Sequence, residues 1–249
     1  MKRVLIISDL HCGSDIGLTH PDWQSLPIQE ELWNAFIEMI TPLQPIDILV
    51  VNGDMIDGKA SRSGGTRMIT IDRAEQAEMA ATAIEVVGAE EIYLTYGTGY
   101  HTGNSEDWEG VVADKLGAPI EDQLWLEVYN TTFDCKHFVG ASSVPHGRHT
   151  SIARDRLWNI LWADMGQQPR SDVIIRSHVH YHNYNGGATW VAMTTPALQG
   201  LGSKFGARIP SGTVDYGIVY FDVDEDGFEW NSDIILVESQ VATTYVAGE

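Results

Sequence analysis

Two cysteines in 249 residues, Cys12 and Cys135, are too few for a disulfide framework, which fits a reducing compartment. The lack of a cysteine cluster also argues against a structural zinc site. Positive charge is scarce: 15 Lys and Arg against 35 Asp and Glu leave a net charge of −20. A field of that sign repels a polyanion at long range and disfavours non-specific binding of long nucleic acid. It does not exclude a small phosphoester, because bound cations invert the local potential. No apolar run approaches the roughly 18 residues that span a bilayer. The chain starts with basic residues and a short apolar run, but Asp9 comes too soon for a secretory signal. The expectation is the first core strand of a cytoplasmic protein with no membrane segment.

What is present suits a packed globular chain. Hydrophobic residues make up 43% and charged residues 20%. No repeat, low-complexity tract or linker interrupts the sequence, so one domain over residues 1–249 is expected. Val4 to Ser8 reads as a buried strand. Leu32, Trp33, Phe36, Ile37 and Ile40 recur at helical spacing, and Pro42 closes that helix. Ile46 to Val51 is a second buried strand. Asp72 is placed to cap a helix whose stripe is Ala77, Ala80, Ala81, Ile84 and Val87, with Gly88 at its end. Glu91 to Tyr96 is a third strand, followed by a helix over about Glu106 to Leu116. This alternation implies parallel strands with right-handed crossovers, and ligands then sit beyond the carboxyl ends of the strands.

From Leu124 the elements shorten. Leu124 to Asn130 and Phe133 to Ser142 read as a hairpin around Thr131 and Thr132, and Ile152 to Met165 has helical character. Asp172 to Ser177 is another buried strand. Thr189 to Thr195, Tyr216 to Val223 and Phe228 to Val237 read as antiparallel strands, the last two joined by an Asp-Glu-Asp-Gly turn.

Chemistry gathers at the ends of these strands. Asp9 and His11 stand two residues apart, which on an extended chain points both the same way. Asp54 follows the second strand, His101 the third, and His146, His178 and His180 come later. Carboxylates mixed with imidazoles suit a divalent metal: Mn first, with Fe, Zn, Ni and Mg as alternatives. So many ligands exceed the needs of one ion and fit two ions about 4 Å apart, bridged by one carboxylate. Such a pair lowers the pKa of a water between them and neutralises phosphoryl oxygens during in-line displacement.

The set Asp9-x-His11, Gly53-Asp54-x-x-Asp57, a glycine-containing loop with His101, Val144-Pro145-His146-Gly147 and Ser177-His178-Val179-His180 resembles the calcineurin-like metallophosphoesterases over residues 4 to about 182. The resemblance implies a two-sheet α/β sandwich flanked by helices. It implies that Asp9, His11 and His180 hold one metal, that Asp54 bridges, and that His146 and His178 hold the second. The family's usual Gly-Asn-His is replaced by Gly97-Thr98-Gly99-Tyr100-His101. Thr98 then takes the place of the Asn ligand while His101 protonates the leaving oxygen; alternatively His101 binds metal, or Asn104 substitutes. The variant is similar to phage and prophage members.

The implied activity is dinuclear metal-dependent phosphoester hydrolysis, with phosphodiesters of nucleotides or nucleic-acid ends first. A phosphomonoesterase or protein phosphatase, a metal-dependent hydrolase of another bond, and a non-catalytic metal-stabilised binding module are the alternatives. Asp57 is either an orienting partner of a ligand or a turn residue. Cys12 is expected to be a buried structural thiol and His137 a hairpin residue. Arg148 and His149 are placed to meet phosphate or to be solvated, and His182 is a weaker extra candidate. Lys59, Arg62 and Arg67 read as an exposed loop rather than a basic mouth. The sequence leaves the oligomeric state open.

Overall fold

A computed structural model describes residues 1–60, 67–103, 106–200 and 214–235. Arg62 and Asn104, singled out above, lie outside the described residues, as does the far end of the last expected strand. The first sheet contains β1 (Lys2–Ile7), β2 (Ile48–Asn52), β3 (Glu91–Thr95) and β4 (Ile120–Glu121) in parallel. It is completed by β10 (Tyr216–Asp224), antiparallel to β1, and β11 (Gly227–Ile235), antiparallel to β10. The second sheet runs in the order β5 (Leu124–Val128), β6 (Thr131–Cys135), β7 (Val173–Arg176), β9 (Val191–Thr194) and β8 (Asn183–Gly186).

Alternation along β1 shows how the layers stack. Val4 and Ile6 belong to the core between the two sheets, with Ile48, Val50, Phe133, Ile175 and Phe221. Phe133 and Phe221 meet edge to face at 5.1 Å there. Leu5 and Ile7 point the other way, into a core made with α1 (Pro27–Ile40), α2 (Arg73–Glu85) and α4 (Trp108–Leu116). On the far face of the second sheet, Ile174 and Ala192 pack on Ile152 of α5 (Arg148–Asp164). The chain is therefore a two-sheet α/β sandwich with helices outside both sheets. Strands buried on both faces carry the continuous apolar runs Val4–Ile7 and Ile48–Val51 that mark a covered parallel sheet.

The helix ends are local. The Asp72 side chain accepts from the Ala74 amide, Asp107 accepts from the Gly110 amide, and Gly117 closes α4 in the left-handed conformation.

Two expectations are corrected. The strand predicted over Phe133 to Ser142 instead spans Thr131–Cys135, with the hairpin turn at Tyr129 and Asn130. Beyond it Lys136 and His137 still bond the β7 segment through their backbone, and the His137 side chain is buried. The stretch Thr189 to Thr195, expected to be antiparallel, contains β9, which is parallel to β7 and antiparallel only to the short β8. No helix among the described residues is long and apolar enough to cross a membrane.

Candidate metal centre

β1, β2, β3, β6 and β7 all finish at one edge of the sandwich, and the side chains just beyond them converge. Asp9 and His11 follow β1, Asp54 follows β2, and His101 lies in the short α3 (Gly99–Thr102) after β3. His137 follows β6, and His178 and His180 follow β7. Five of these are non-glycine residues at positive φ: Asp9 (53°), His11 (46°), Asp54 (49°), His178 (74°) and His180 (54°). Each costs about 1–3 kcal/mol and persists only where its surroundings hold it. Asp9 and His11 therefore converge through left-handed turns, not through the pleat of an extended strand as expected. Backbone bonds fix them, with the Asp9 amide donating to the Gly53 carbonyl and the His11 amide to that of Asp54.

The two carboxylates are used alike. Asp9 Oδ2 accepts from the Ser8 hydroxyl (2.6 Å) and the His178 amide (3.3 Å). Its Oδ1 faces Nε2 of His180 (3.1 Å), His11 (3.8 Å) and His137 (3.9 Å). Asp54 Oδ1 accepts from the Thr98 amide (2.6 Å) and hydroxyl (3.1 Å). Its Oδ2 faces His137 Nε2 (3.0 Å), His101 Nε2 (3.9 Å) and His178 Nδ1 (4.0 Å). One oxygen of each carboxylate is thus anchored and the other is turned towards three imidazoles.

The imidazoles are oriented from behind. Nδ1–H of His137 donates to the Asn52 carbonyl (2.7 Å), that of His101 to the Asp57 carbonyl (2.8 Å), and that of His11 to the Asp57 carboxylate (2.9 Å). Each bond turns Nε2 inward, as an outer partner does for a ligating histidine. Asp57 is thereby an orienting partner, one of the two roles its motif left open.

Below the cluster lies a buried polar belt that joins the sheets. The Asn52 amide donates to Ser177 Oγ (2.7 Å) and its carbonyl oxygen accepts from the Thr95 hydroxyl (2.8 Å). Ser177 also meets Thr195 (2.7 Å). Two glycines let the loops approach. A Cβ on Gly97 would lie 2.2 Å from the Asp54 backbone nitrogen and carboxylate, and one on Gly53, at φ +79°, would lie 2.7 Å from the His137 ring.

The residues fit a divalent metal. Three overlapping groups have donor atoms within 4.8 Å of one another: Asp9, His11 and His180; His11, Asp54 and His101; Asp54, His137 and His178. Asp9 Oδ1 and His137 Nε2 are buried yet make no hydrogen bond, although charged partners stand close by. His11 Nε2 and His180 Nε2 face each other at 3.2 Å. Unsatisfied donor atoms aimed at one another are costly unless a cation is shared among them.

His146 does not join them. It is exposed on the short turn Pro145–Gly147 and belongs to none of the groups found among the described residues. His137 stands where the resemblance had placed His146. The signal for it was a histidine two residues past a buried apolar strand, hidden by running that strand on to Ser142. Thr98 contributes hydrogen bonds to Asp54, and Cys12 gives its thiol proton to the Leu18 carbonyl in the core. His182 is held by the Thr194 carbonyl beside Tyr184 and Trp230. The Arg148 guanidinium lies 4.2 Å from the Tyr181 ring centre, and His149 is exposed. Arg67 lies 3.9 Å from the Asp15 carboxylate.

Electrostatics follow the geometry. Burial alone would raise the Asp9 and Asp54 carboxyls, but the surrounding histidines hold both well below the ordinary range. Burial would lower His11 and His137; the acceptors Asp57 and Asp9 push His11 up to about 10, and the charges of Asp54 and Asp9 push His137 up to about 9. Burial and the His11 charge lower His101. The sign for metal-free protein follows. Raised histidines stabilise fully below their unfolded pKa near 6.5, and that stability is lost as pH rises through 9 to 10. Depressed carboxylates add stability above about 4 that acid removes. Thermal melts of metal-stripped protein are therefore expected to fall from pH 6.5 to 10, while metal affinity rises over the same window because the metal displaces protons.

Glu109 of α4 was not foreseen. Fully buried, it accepts from the Met55 amide (2.8 Å) and the Gly97 amide (2.6 Å), tying the loops after β2 and β3 together behind Asp54. Burial, with the Asp54 charge, pushes its carboxyl up to about 7. Glu109→Ala is expected to cost about 2–5 kcal/mol in denaturant unfolding, since two buried amides lose their acceptor.

Fold and site together form a two-sheet α/β sandwich with outer helices and with carboxylates and histidines gathered at one edge. No family model matches the sequence, and no curated protein matches it. Among solved structures the chain is similar to an archaeal phosphodiesterase, at 14% identity, covering 94% of this chain and 99% of that one with a TM-score of 0.49. It is similar to Entamoeba histolytica Vps29 complexed with zinc, at 13% identity, 94% and 98% coverage and a TM-score of 0.49. A predicted phosphoesterase from Streptococcus pneumoniae gives 13%, 93%, 98% and 0.38.

Proposed function

We propose that this protein is a metal-dependent phosphoester hydrolase with phosphodiesters as its substrates. The observation that carries the reading is the pair of buried carboxylates, each with one anchored oxygen and one oxygen turned to three imidazoles. Asp9, His11 and His180 would hold one divalent ion, and Asp54, His137 and His178 a second, with manganese the first candidate. Bound there, divalent ions supply Lewis-acid charge to the phosphoryl oxygens and lower the pKa of water. The protein's own contribution is to fix the donors. Thr98 locks the Asp54 carboxylate, Asp57 locks His11, and the Asn52 carbonyl locks His137.

Of the two roles left open for His101, the geometry favours holding metal. Its Nδ1–H is committed to a carbonyl and burial keeps the ring neutral, so Nε2 offers a lone pair towards Asp54. A nucleotide or a nucleic-acid end is the first substrate to try, in a cytoplasmic setting. The test compares a chromogenic phosphodiester with the matching monoester on manganese-loaded protein. Diester preference supports the reading; monoester preference moves the substrate to phosphoproteins or small phosphates.

A further inference from the structure

A second surface of note lies on α5, the helix that covers the outer face of the second sheet. Ser151, Ile152 and Asn159 form its buried face, and the helix packs on β7, β8 and β9. The opposite face carries Leu157, Trp158, Leu161, Trp162 and Met165, which are between 38% and 66% exposed. Their spacing puts all five in one stripe. Large apolar side chains exposed to this degree amount to roughly 500 Å², near the upper end of the largest patch on a monomer. With its polar rim the stripe approaches the roughly 800 Å² that each partner gives to a standard interface.

The stripe is self-complementary. Its midpoint lies between Trp158 and Leu161. Turning a second helix end for end about that point sets Leu157 against Trp162, and Trp158 against Leu161. Arg154 lies on the same face at one end and Asp164 beside it at the other; both are exposed, with no ion-pair partner among the described residues. The same rotation brings Arg154 of each copy to Asp164 and Met165 of the other. The local charge also permits close approach. In a chain of net charge −20, α5 carries three arginines against two aspartates.

We propose that two copies of this chain form a two-fold symmetric dimer through antiparallel packing of α5. An isologous interface of this kind needs a patch that matches itself, which is what the apolar stripe with opposite charges at its ends provides. Aromatic residues and Arg are the types enriched at such interfaces, and Trp158 and Trp162 would be its anchors.

Sedimentation of the full chain across concentration tests this. The expected result is a dimer of about micromolar Kd. Leu161→Glu is expected to give a monomer with an unchanged far-ultraviolet circular dichroism spectrum. Arg154→Asp and Asp164→Arg are each expected to weaken association about tenfold, and the double reversal to restore it. A chain that stays monomeric at about a hundred times that concentration overturns the proposal. So does a dimer that ignores Leu161→Glu, or a double reversal that fails to restore the pairing.

Discussion

Asp54→Asn is expected to lower metal-dependent phosphodiester turnover by at least about a thousandfold, read as kcat on metal-loaded protein. Asp54 Oδ1 is already taken by the Thr98 amide and hydroxyl, and Oδ2 faces His137, His101 and His178. An Asn amide cannot serve both sides. With its oxygen on Thr98, it turns an NH2 towards the imidazoles and places donors where the proposed cation would bind. Turned round, it opposes the Thr98 amide with a donor. Either way the negative charge that links two of the three ligand groups is gone, and metal uptake falls with turnover. Full metal-dependent turnover in the variant would remove Asp54 from the mechanism.

The second large effect separates two histidines. His137→Ala is expected to lower metal affinity by more than the roughly 10- to 100-fold that loss of an outer hydrogen-bond partner costs, because a donor atom itself is removed. His137 Nε2 approaches both carboxylates, at 3.0 Å from Asp54 and 3.9 Å from Asp9. His146→Ala, on the exposed turn before α5, is expected to leave turnover within about twofold, as surface changes usually do. Calorimetric metal titration of both variants, with turnover alongside, checks the pair. The reverse ranking would restore His146 to the site and remove His137.

That exchange shows which parts of the molecule were legible. Apolar strands that stop near an Asp or His are local signals, and β1, β2 and β7 were readable because their runs are short and buried on both faces. β3, with only Leu94 and Thr95 buried, was readable from its place in the strand–helix alternation. The cluster at their carboxyl ends followed from the parallel order alone. His137 was missed because β6 gives no local stop: Phe133–Cys135 runs into Lys136, His137, Phe138 and Val139 with no glycine or proline to mark the exit. The left-handed backbone at Asp9, His11, Asp54, His178 and His180 was not readable either. None is a glycine, and each conformation is imposed by bonds to a neighbouring loop rather than by its own preference. Glu109 escaped for a related reason. A carboxylate in the first turn of a helix normally reads as a solvated residue favoured by the helix dipole, and only the packing of α4 behind the site buries it. Pairing of β9 with β7 depends on the whole second sheet, which hydrophobic alternation in a four-residue strand cannot encode.

The most direct measurement is hydrolysis of a chromogenic phosphodiester by metal-stripped protein titrated with Mn²⁺. The predicted result is no turnover without metal, turnover that rises with metal and saturates, and loss of that turnover in Asp54→Asn. Metal uptake by the unaltered chain without hydrolysis of either the diester or the matching monoester would contradict the account, leaving a metal-stabilised binding module in place of an enzyme.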